Sequence, residues 1–499
     1  MNQYWKEESG TQTWKTDIVI IGSGAGGAMA AMTLSEAGFD VVVLEQGFHY
    51  NRQNAPKTLG ETIGTMYEEN GFRTTKGDPP IPVAGGKGLG GSTLINSAIC
   101  FHTPKDTLKR WNELSKGAFS NEEAFYSKQD EVWNFMRVRE TPDLLLSGND
   151  LAHKRATQSL GWVEGNIHRN TPGCGGCGRC NAICSIDGKN SIDRAALPRA
   201  AKAGARIYTG TTVKKITETT VSGYITNREH KRIGEFIVHA QTIILAAGSI
   251  GTPGLLQDSG FDSKNDQIGV GLHIHPVINT WAIVPEPIYK PGSTQGHYSD
   301  QFVKERVLLE ANPILAGAFY QAFPAYGLSG KELMRKGAHM ASTGALIRDI
   351  TEGTVGKPSN GAAKISYSLG EADRKALILG IHKGAQLWLE GAKAEQIALP
   401  IFGSSPCTSM EEVYKAAPAD LSLERMIGYS SHPQASCRIG RALDHNGKLL
   451  GSSNIYVMDA SSLPSNVGRN PQISIFTTVR ILAERFCEER GKSIVSLLS

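Results

Sequence analysis

Residues 17–45, DIVIIGSGAGGAMAAMTLSEAGFDVVVLE, decide the fold of this chain. The apolar run at 17–22 is typical of a buried parallel strand. Residues 25–38 are rich in alanine and end at Gly38, as a helix with a C-terminal glycine does. A second apolar run, Val41–Leu44, indicates another strand. Together these segments predict one complete βαβ unit.

The glycines between the first strand and the helix have the GxGxxG spacing of a dinucleotide site. Gly22 permits the tight turn, Gly24 lets the backbone approach a pyrophosphate, and Gly27, which follows Gly26, packs the helix on the strand. The pyrophosphate is expected at the amino terminus of the helix, where free N–H groups favour anions. Glu45 ends the second strand, where it can accept hydrogen bonds from a ribose diol. This spacing predicts a bound dinucleotide without separating NAD from FAD.

The composition of the chain excludes several classes of protein. Its 499 residues are too many for one ordinary core, so two or three domains are expected. The 52 basic and 48 acidic residues leave a net charge of +4, which gives no electrostatic footprint for nucleic acid or an anionic membrane. The amino-terminal residues lack the pattern of a secretory signal, and no apolar run reaches the ~18 residues of a spanning helix. We therefore expect a cytoplasmic protein without a membrane segment of its own.

A second glycine-rich stretch, residues 85–97 (GGKGLGGSTLINS), combines a glycine loop with a Ser-Thr start to a predicted helix. This stretch resembles the loop that passes the flavin ring in the glucose–methanol–choline (GMC) oxidoreductase family. The resemblance implies that the cofactor is FAD. It also implies that Gly90, Ser92 and Asn96 line the isoalloxazine ring and the pyrophosphate.

Two segments in the middle of the chain also resemble this family. Residues 245–256 (LAAGSIGTPGLL) are similar to its second signature, which implies a cofactor contact at Ala247. Val213 matches the position whose backbone meets the adenine. Residues 269–276 (GVGLHIHP) fit a return into the flavin domain, and we interpret His275 in this segment as structural.

The carboxyl-terminal segments resemble the part of the family that carries catalysis. Residues 431–440 (SHPQASCRIG) are similar to its His-Pro block, although Gln434-Ala435-Ser436 replaces the commoner Met-Gly-Thr. The resemblance implies that His432 and Asn470 face the reactive edge of the ring. It implies further cofactor contacts at Asp459, Ala460, Pro471 and Gln472.

The chemistry of alcohol oxidation explains why this pair would be needed. Hydride leaves an alcohol carbon readily only as the hydroxyl proton is removed, and a neutral imidazole can take that proton near pH 7. We therefore interpret His432 as the base. Asn470 can hold the same oxygen without competing for the proton, which fixes the distance from the alcohol carbon to flavin N5.

Four cysteines are concentrated within eleven residues, in the pattern Cys174-x2-Cys177-x2-Cys180-x3-Cys184. Their spacing is that of the bacterial ferredoxin run, which predicts an iron–sulfur cluster, either 4Fe–4S or 3Fe–4S. The fourth ligand is open because serine, not proline, follows Cys184. Zinc usually needs two separated cysteine pairs, and four unligated thiols are the remaining alternative. The run and residues 96–104 (NSAICFHTP) resemble a subgroup that includes long-chain alcohol oxidases and flavin sugar dehydrogenases.

The expected fold is α/β: a Rossmann-like FAD-binding domain with an inserted α+β substrate-binding domain. Residues 286–414 contain more loops and aromatic residues than the segments before them. After about residue 425 the sequence again predicts strands and helices like those of the amino-terminal part. We therefore predict an FAD-binding domain at 1–285, which includes the cysteine run, and at 415–499. The substrate-binding domain is predicted at 286–414.

We expect an FAD-dependent enzyme that oxidises the CH–OH group of an alcohol, with electrons leaving through the cluster to O2, a quinone or a protein such as a cytochrome. Aromatic residues in an apolar stretch suggest a hydrophobic alcohol: Phe319, Tyr320, Phe323 and Tyr326. A sugar, polyol or sterol dehydrogenase is the alternative on the same fold. A flavin-dependent lyase or decarboxylase and a non-catalytic electron-transfer subunit are alternatives from other classes. Oxidase or dehydrogenase activity and the oligomeric state stay open.

Overall fold

The computed structural model describes residues 5–312, 327–359 and 362–498. Its strands, in chain order, are β1 Trp5–Lys6, β2 Gly10–Ile21, β3 Val41–Glu45, β4 Ile99–Cys100, β5 Arg139–Glu140, β6 Glu164–Asn166, β7 His168–Arg169, β8 Arg206–Thr209, β9 Thr211–Ile216, β10 Thr220–Thr226, β11 Arg232–Leu245, β12 Val270–Leu272, β13 Val277–Ile283, β14 His297–Ser299, β15 Val307–Ala311, β16 Met340–Ile347, β17 Gly353–Ser359, β18 Ala362–Ser366, β19 Gln396–Ala398, β20 Gly428–Tyr429 and β21 Ile455–Val457.

The α-helices are α1 Ala25–Glu36, α2 Leu59–Met66, α3 Lys105–Leu114, α4 Glu122–Phe135, α5 Gly148–Ser159, α6 Ile192–Ala195, α7 Leu197–Lys202, α8 Gly248–Asp258, α9 Gly327–Arg335, α10 Glu371–Gln386, α11 Met410–Ala416 and α12 Gln472–Glu488. Among the described residues, none of these helices is both long and apolar enough to cross a membrane.

The first sheet contains the predicted βαβ unit. Its strand order is β1-β8-β3-β2-β11-β10-β9, and β21 pairs with β11. The neighbouring strands β1, β8, β3, β2 and β11 run parallel to one another, and β21 is parallel to β11. Strand β10 is antiparallel to both β11 and β9. Every residue of β3 is buried, as expected for a central strand rich in valine. The prediction of strand, helix and strand at residues 17–45 is confirmed.

Helix α1 is buried because it is rich in alanine and glycine around its whole circumference. Ten of its residues are buried, and the helix packs against α7 and α12 as well as against the sheet. It ends at Glu36, with Ala37 as the capping residue. The helix thus ends two residues before Gly38, which directly follows the capping residue with a φ of 84°.

The second sheet is antiparallel, with the order β19-β13-β16-β15-β14-β6, and β20 pairs with β13. Helix α10 covers one face of it and shares a core with its strands. Strands from 164–166, 277–283 and 428–429 join this sheet. The divisions at residues 285 and 414 stay a prediction.

Several predicted elements differ in detail from the structure. The helix expected after Thr93 is a single 3-10 turn at Gly91–Leu94, and the capping residue Ile95 already has non-helical angles, with φ −110° and ψ 3°. The aromatic residues Phe319, Tyr320, Phe323 and Tyr326 lie outside the described residues.

Candidate active site

The fingerprint glycines form a close contact with the carboxyl-terminal part of the chain. A Cβ atom on Gly26 would lie 2.0 Å from the carbonyl oxygen of Met458, and one on Gly27 would lie 2.0 Å from that of Gly22. Gly22 has a φ of 99°, which the tight turn requires. Larger residues at 26 or 27 would therefore separate the helix from the strands it packs against.

Glu45 closes the fingerprint loop from the end of β3. Its Oε2 accepts hydrogen bonds from the backbone N–H of Ser23 (3.0 Å) and from the Ser23 hydroxyl (2.6 Å), and its Oε1 accepts from the N–H of Gly47 (2.8 Å). Burial raises the pKa of this carboxyl, against these hydrogen bonds. A ribose diol would use the remaining lone pairs.

The second glycine loop lies against the fingerprint. The N–H of Gly90 donates to the Ser23 hydroxyl at 3.1 Å, and a Cβ atom on Gly91 would lie 2.8 Å from the Cα of Gly24. Within the loop, the N–H of Gly86 donates to the Ser92 hydroxyl at 2.9 Å. Two glycine loops separated by about 60 residues in the sequence therefore form one surface.

Asn96 and Gln472 are in direct contact. The Asn96 amide donates to the Gln472 side chain at 3.0 Å, and the Gln472 amide donates to the carbonyl of Ile99 at 2.6 Å. Gln472 is the first residue of α12, and Pro471 caps that helix without a side-chain hydrogen bond. The amino terminus of α12 thus lies beside the second glycine loop.

Asp459 joins the other segments at the end of the first sheet. Its Oδ2 accepts from the N–H of Gly248 (2.8 Å) and from the Thr252 hydroxyl (2.6 Å), at the start of α8. Its neighbour Ala460 accepts from the N–H of Ala435 at 2.9 Å. Burial raises the pKa of the Asp459 carboxyl, against these hydrogen bonds. Ala247 caps α8 beside this residue, while Val213 lies on β9, three strands from β2.

These residues fit a dinucleotide. The amino terminus of α1 has no side-chain cap, so its free N–H groups can receive a pyrophosphate. A Cβ atom on Gly24 would meet only the Cα of Gly91, at 3.8 Å, which leaves the space that a close backbone approach needs. The α12 terminus adds a second uncapped group of donors.

His432 and Asn470 each carry a buried polar atom that has no hydrogen-bond partner within the described part of the chain: Nδ1 of His432 and Oδ1 of Asn470. Burial lowers the pKa of His432 to about 4, so its ring is neutral at pH 7. Buried polar atoms normally have hydrogen-bond partners. Two buried atoms without partners are therefore typical of a site that receives a ligand.

Gln434 and His275 connect the two candidate catalytic residues. Gln434 donates to the carbonyl of His432 at 3.0 Å and accepts from the N–H of Val467 at 3.0 Å. The Nε2 of His275 accepts from the N–H of Gly468 at 3.0 Å. The unusual Gln434 of the sequence thus holds the His432 loop and the segment before Asn470 together.

Asp349 fixes the loop that carries His275. Its carboxylate accepts from the N–H of Ile274 at 2.9 Å, from the Tyr367 hydroxyl at 2.8 Å and from the Asn466 amide at 2.8 Å. Burial by itself would raise the pKa of Asp349, but His273 and these hydrogen bonds outweigh it and lower the pKa. Asp349 is therefore charged, and its hydrogen bonds stabilise the loop that carries His275.

Two buried charged residues were missed by sequence reasoning: Arg469, which precedes Asn470, and Glu310 on the second sheet. Glu310 lies on β15 and is only 5% exposed, and Arg469 forms an ion pair with Asp300 at 3.1 Å. Nη1 of Arg469 and Oε1 of Glu310 have no partner within the described residues. The available signal was the single glutamate in the otherwise apolar strand Val307–Ala311.

The four clustered cysteines line one pocket, which Lys189 and Ser293 also line. Backbone N–H groups donate to sulfur: that of Gly176 to Cys174 at 3.4 Å, and that of Gly188 to Cys184 at 3.1 Å. The pocket lies next to the second glycine loop, because Lys189 Nζ donates to the carbonyls of Leu94 (2.8 Å) and Cys180 (3.0 Å).

Arg169 supplies a positive charge to this pocket. Its Nη2 donates to the sulfur of Cys180 at 2.9 Å. Burial would raise the pKa of the Cys180 thiol, but Arg169 and Lys189 outweigh burial and lower the pKa. Nevertheless, the described residues contain no group of three or more His, Cys, Asp or Glu side chains arranged to hold a metal ion. Cysteine sulfurs are suitable ligands for a metal cluster, but the described side chains are not arranged closely enough around one point to hold an ion.

Comparisons with known proteins agree with this geometry. A family model described as an FAD binding domain matches residues 17–55. Two models described as GMC oxidoreductase match residues 63–277 and 354–478. The fold and the glycine loops therefore define an FAD-dependent oxidoreductase. The chain belongs to the GMC oxidoreductase family, which confirms the α/β fold and the FAD cofactor expected from the sequence.

Individual relatives extend along almost the whole chain. An uncharacterized GMC-type oxidoreductase of Mycobacterium tuberculosis is 29% identical over 94% of this chain and 76% of its own length. A long-chain-alcohol oxidase of Arabidopsis thaliana is 28% identical over 95% of this chain and 67% of its own length.

Solved structures share the fold at lower identity. Pyridoxine 4-oxidase from Mesorbium loti has a TM-score of 0.70 at 17% identity, covering 95% of this chain and 99% of its own. A variant of formate oxidase from Aspergillus oryzae has a TM-score of 0.69 at 15% identity, covering 97% and 99%. At these identities the likeness concerns the fold alone.

Proposed function

We propose that this enzyme oxidises an alcohol to the corresponding carbonyl compound, with His432 as the base. FAD, when bound, supplies the acceptor for the hydride that leaves the alcohol carbon. The hydroxyl proton goes to His432, so the alcohol loses one hydride and one proton and the C=O bond forms. The long-chain-alcohol oxidase of Arabidopsis thaliana among the relatives supports this type of substrate.

The observation that carries the proposal is the unpartnered Nδ1 of a neutral His432. A general base must be unprotonated and must have a free nitrogen within reach of the proton. Because burial holds the pKa of His432 near 4, the ring is available to accept a proton at every pH above about 5. Hydrogen bonds through Gln434 fix its backbone.

We propose that Asn470 holds the alcohol oxygen. An amide can donate to that oxygen while carrying no charge, so it does not compete with His432 for the proton. Its side chain is 7% exposed, and its Oδ1 has no partner within the described residues. The position of Asn470 directly before Pro471 and α12 limits how far this side chain can move.

The residues proposed to hold FAD surround the fingerprint and the start of α12. The pyrophosphate would lie at the free N–H groups of α1, and the ribose would lie beside Glu45. Contacts among these residues bring the glycine loops, Asp459 and Gln472 to the same end of the first sheet. The proposed set is Gly22, Gly24, Gly26, Gly27, Glu45, Gly90, Ser92, Asn96, Val213, Ala247, Asp459, Ala460, Pro471 and Gln472.

We propose a hydrophobic substrate, aliphatic or aromatic. An apolar cluster of Val277, Leu308 and Leu346 lies on the second sheet, with Phe101 and Tyr298 packed against it. Arg469 places its guanidinium 5.6 Å from the centre of the Phe101 ring, so this cluster adjoins the segment that carries Asn470. Such a wall would receive the chain of an alcohol whose hydroxyl lies at Asn470.

We propose further that electrons leave the reduced enzyme through an iron–sulfur cluster at Cys174, Cys177, Cys180 and Cys184, toward O2, a quinone or a protein. The shared pocket, the N–H donors to sulfur and the charge of Arg169 support thiolates there. Iron–sulfur clusters are held by thiolates that receive such hydrogen bonds. The observation against the cluster is that the described residues contain no group of three or more His, Cys, Asp or Glu side chains placed to hold a metal ion.

An anaerobic screen tests the proposed reaction. Purified enzyme with oxidised flavin is mixed without O2 with aliphatic, aromatic, sterol and sugar alcohols, and the loss of flavin absorbance is recorded. We expect a hydrophobic alcohol to bleach the flavin and to form one equivalent of carbonyl product. If no alcohol bleaches the flavin, the proposal is wrong, and a flavin-dependent lyase becomes the favoured function.

A further inference from the structure

The end of the second glycine loop is held by a segment whose side chains, apart from the thiols, have no role in the reaction described above. Residues 95–98 lie between the 3-10 turn and β4, outside regular secondary structure. Their backbone carbonyls therefore need partners from elsewhere in the chain, because an unpaired buried carbonyl is costly. The partners come from residues 169–189, which contain the four clustered cysteines and which we call the cysteine segment.

Each backbone carbonyl from Leu94 to Ala98 accepts a hydrogen bond from the cysteine segment. The bonds run from Lys189 Nζ to Leu94 (2.8 Å) and Asn96 (3.0 Å), from the Asn181 side-chain amide to Ile95 (3.1 Å), from Arg169 Nε to Ser97 (3.0 Å) and from the Asn170 N–H to Ala98 (3.2 Å). An unbroken row of carbonyls has its partners in one segment. The course of the loop therefore depends on that segment.

Lys189 makes the central contacts of this set. Its side chain is buried, and its ammonium group carries three N–H donors and no acceptor. Besides the two loop carbonyls, Nζ donates to the carbonyl of Cys180 at 3.0 Å and to Oδ1 of Asn96 at 3.3 Å. A buried ammonium group is stable only among such acceptors, so Lys189 holds oxygens of the loop and of the cysteine segment around one point.

The contact with the Asn96 side chain fixes the direction in which its amide faces. Asn96 Oδ1 accepts from Lys189 Nζ and from the N–H of Ala98 at 3.1 Å. Both partners are donors, so they select the oxygen end of the amide. The nitrogen end faces Gln472, whose side-chain oxygen accepts from Asn96 Nδ2 at 3.0 Å. A reversed amide would direct its N–H groups at two donors.

We propose that Lys189 is a positioning residue for FAD binding, which orients the Asn96 amide and holds the backbone on either side of it. This inference rests on the proposed function, in which Asn96 and Gln472 both contact FAD. With Lys189 in place, the N–H end of the amide lies on the side of Gln472. Without Lys189 the amide is free to turn, and the carbonyls of Leu94 and Asn96 lose their donor. The cysteine segment thus belongs to the cofactor site through a side chain other than its thiols.

The test is a double-mutant cycle of Lys189→Met, which removes the ammonium group at similar length, and Asn96→Ala. Lys189→Gln, which keeps one donor group, replaces the methionine variant in the cycle if that variant does not fold. Arg179→Met is the matched control, because Arg179 is an exposed cation of the same segment and donates to the carbonyl of Lys57 at 3.5 Å, outside the loop. Each holoenzyme is diluted, and the fluorescence of released FAD gives Kd. The visible spectrum of the bound flavin and unfolding in urea are recorded on the same samples.

We expect Lys189→Met and Asn96→Ala each to weaken FAD binding about tenfold, as the loss of a buried hydrogen bond does. The double variant should also lose about tenfold, since effects of residues that act through one another do not add. The visible band of the bound flavin should change in the same way in both single variants. Arg179→Met should equal the wild type in Kd and in spectrum.

Three results would overturn the inference, and they differ in what else they affect. A loss of about hundredfold in the double variant would mean that Lys189 and Asn96 act independently. A lower free energy of unfolding in Lys189→Met, with the Kd and the flavin spectrum of the wild type, would make Lys189 merely structural. If Asn96→Ala binds FAD as the wild type does, the proposed contact of Asn96 with FAD is wrong, and the role of Lys189 with it.

Discussion

The ring of His275 meets the ring of His432 edge to face, with the ring centroids 5.6 Å apart at an interplanar angle of 89°. His275 is fully buried, and its φ of 50° lies in the left-handed region, which is uncommon for residues other than glycine. Its Nε2 accepts from the N–H of Gly468 at 3.0 Å, and its Nδ1 lies 3.4 Å from the Gln434 amide nitrogen. His275 therefore supports both the base and the segment that leads to Asn470.

We predict that His275→Asn slows flavin reduction about tenfold while leaving the FAD content unchanged. Asparagine tolerates a positive φ, so the variant removes the ring without adding backbone strain. Its shorter side chain leaves the N–H of Gly468 without its acceptor, which costs about 1–3 kcal/mol of unfolding free energy. Stopped-flow reduction and urea unfolding measure the two effects. A wild-type reduction rate would show that His275 does not position His432.

His432→Gln should reduce the rate of flavin reduction by about 10²- to 10⁴-fold, the usual contribution of a general base. Glutamine keeps a polar group of similar reach but cannot accept the hydroxyl proton. The control is His445→Gln, because His445 is exposed and its side chain lies outside the site. If the flavin of His432→Gln is reduced as fast as the flavin of the control, a group other than His432 accepts the hydroxyl proton.

The low pKa of His432 predicts the pH dependence of the reaction. Because only the neutral ring accepts a proton, kcat/KM should fall tenfold per pH unit below about pH 4, and His432 should cause no loss between pH 5 and 8. The same shift acts on stability. The unfolded state takes up the proton first as the pH falls from 6.5 to about 4, so the folded state loses stability in that window. His432→Gln should lose less stability than the wild type there, as acid unfolding at several pH values can measure.

Iron analysis decides whether the cysteine pocket holds a cluster. Protein prepared without O2 should contain iron and acid-labile sulfide, and Cys177→Ser and Cys180→Ser should lose both. Cys407→Ala is the control, because Cys407 is a buried cysteine outside the cluster. Wild-type protein that contains zinc, or no metal, would contradict the proposed electron route.

The parts of this structure that could be predicted from the sequence are those set by local pattern. The βαβ unit follows from apolar runs and glycines within 29 residues, so no distant contact was needed to find it. The contact of Asn96 with Gln472 joins residues 376 positions apart, and the resemblance to a family implied only that each of them contacts the cofactor.

Other features escaped because the local pattern favoured a different element or hid the residue. Gly91–Leu94 has the composition of a helix start, yet the chain leaves helical geometry at Ile95 after one turn. Glu310 was missed because a strand of mostly apolar residues predicts core.

A last prediction concerns the fingerprint itself. Gly26→Ala would place a methyl carbon 2.0 Å from the carbonyl oxygen of Met458, which is backbone and cannot rotate away. Helix α1 must then move away from Met458 and Asp459, which loosens the proposed pyrophosphate site, so we expect FAD affinity to fall at least about tenfold. Gly64→Ala is the matched control, since Gly64 lies in helix α2 with nothing within 4 Å of a Cβ atom. That control should bind FAD normally and gain up to about 1 kcal/mol of stability, as alanine does in a helix. Equal FAD affinity in the two variants, measured by flavin fluorescence after dilution, would mean that the close approach of α1 to Met458 does not shape the cofactor site.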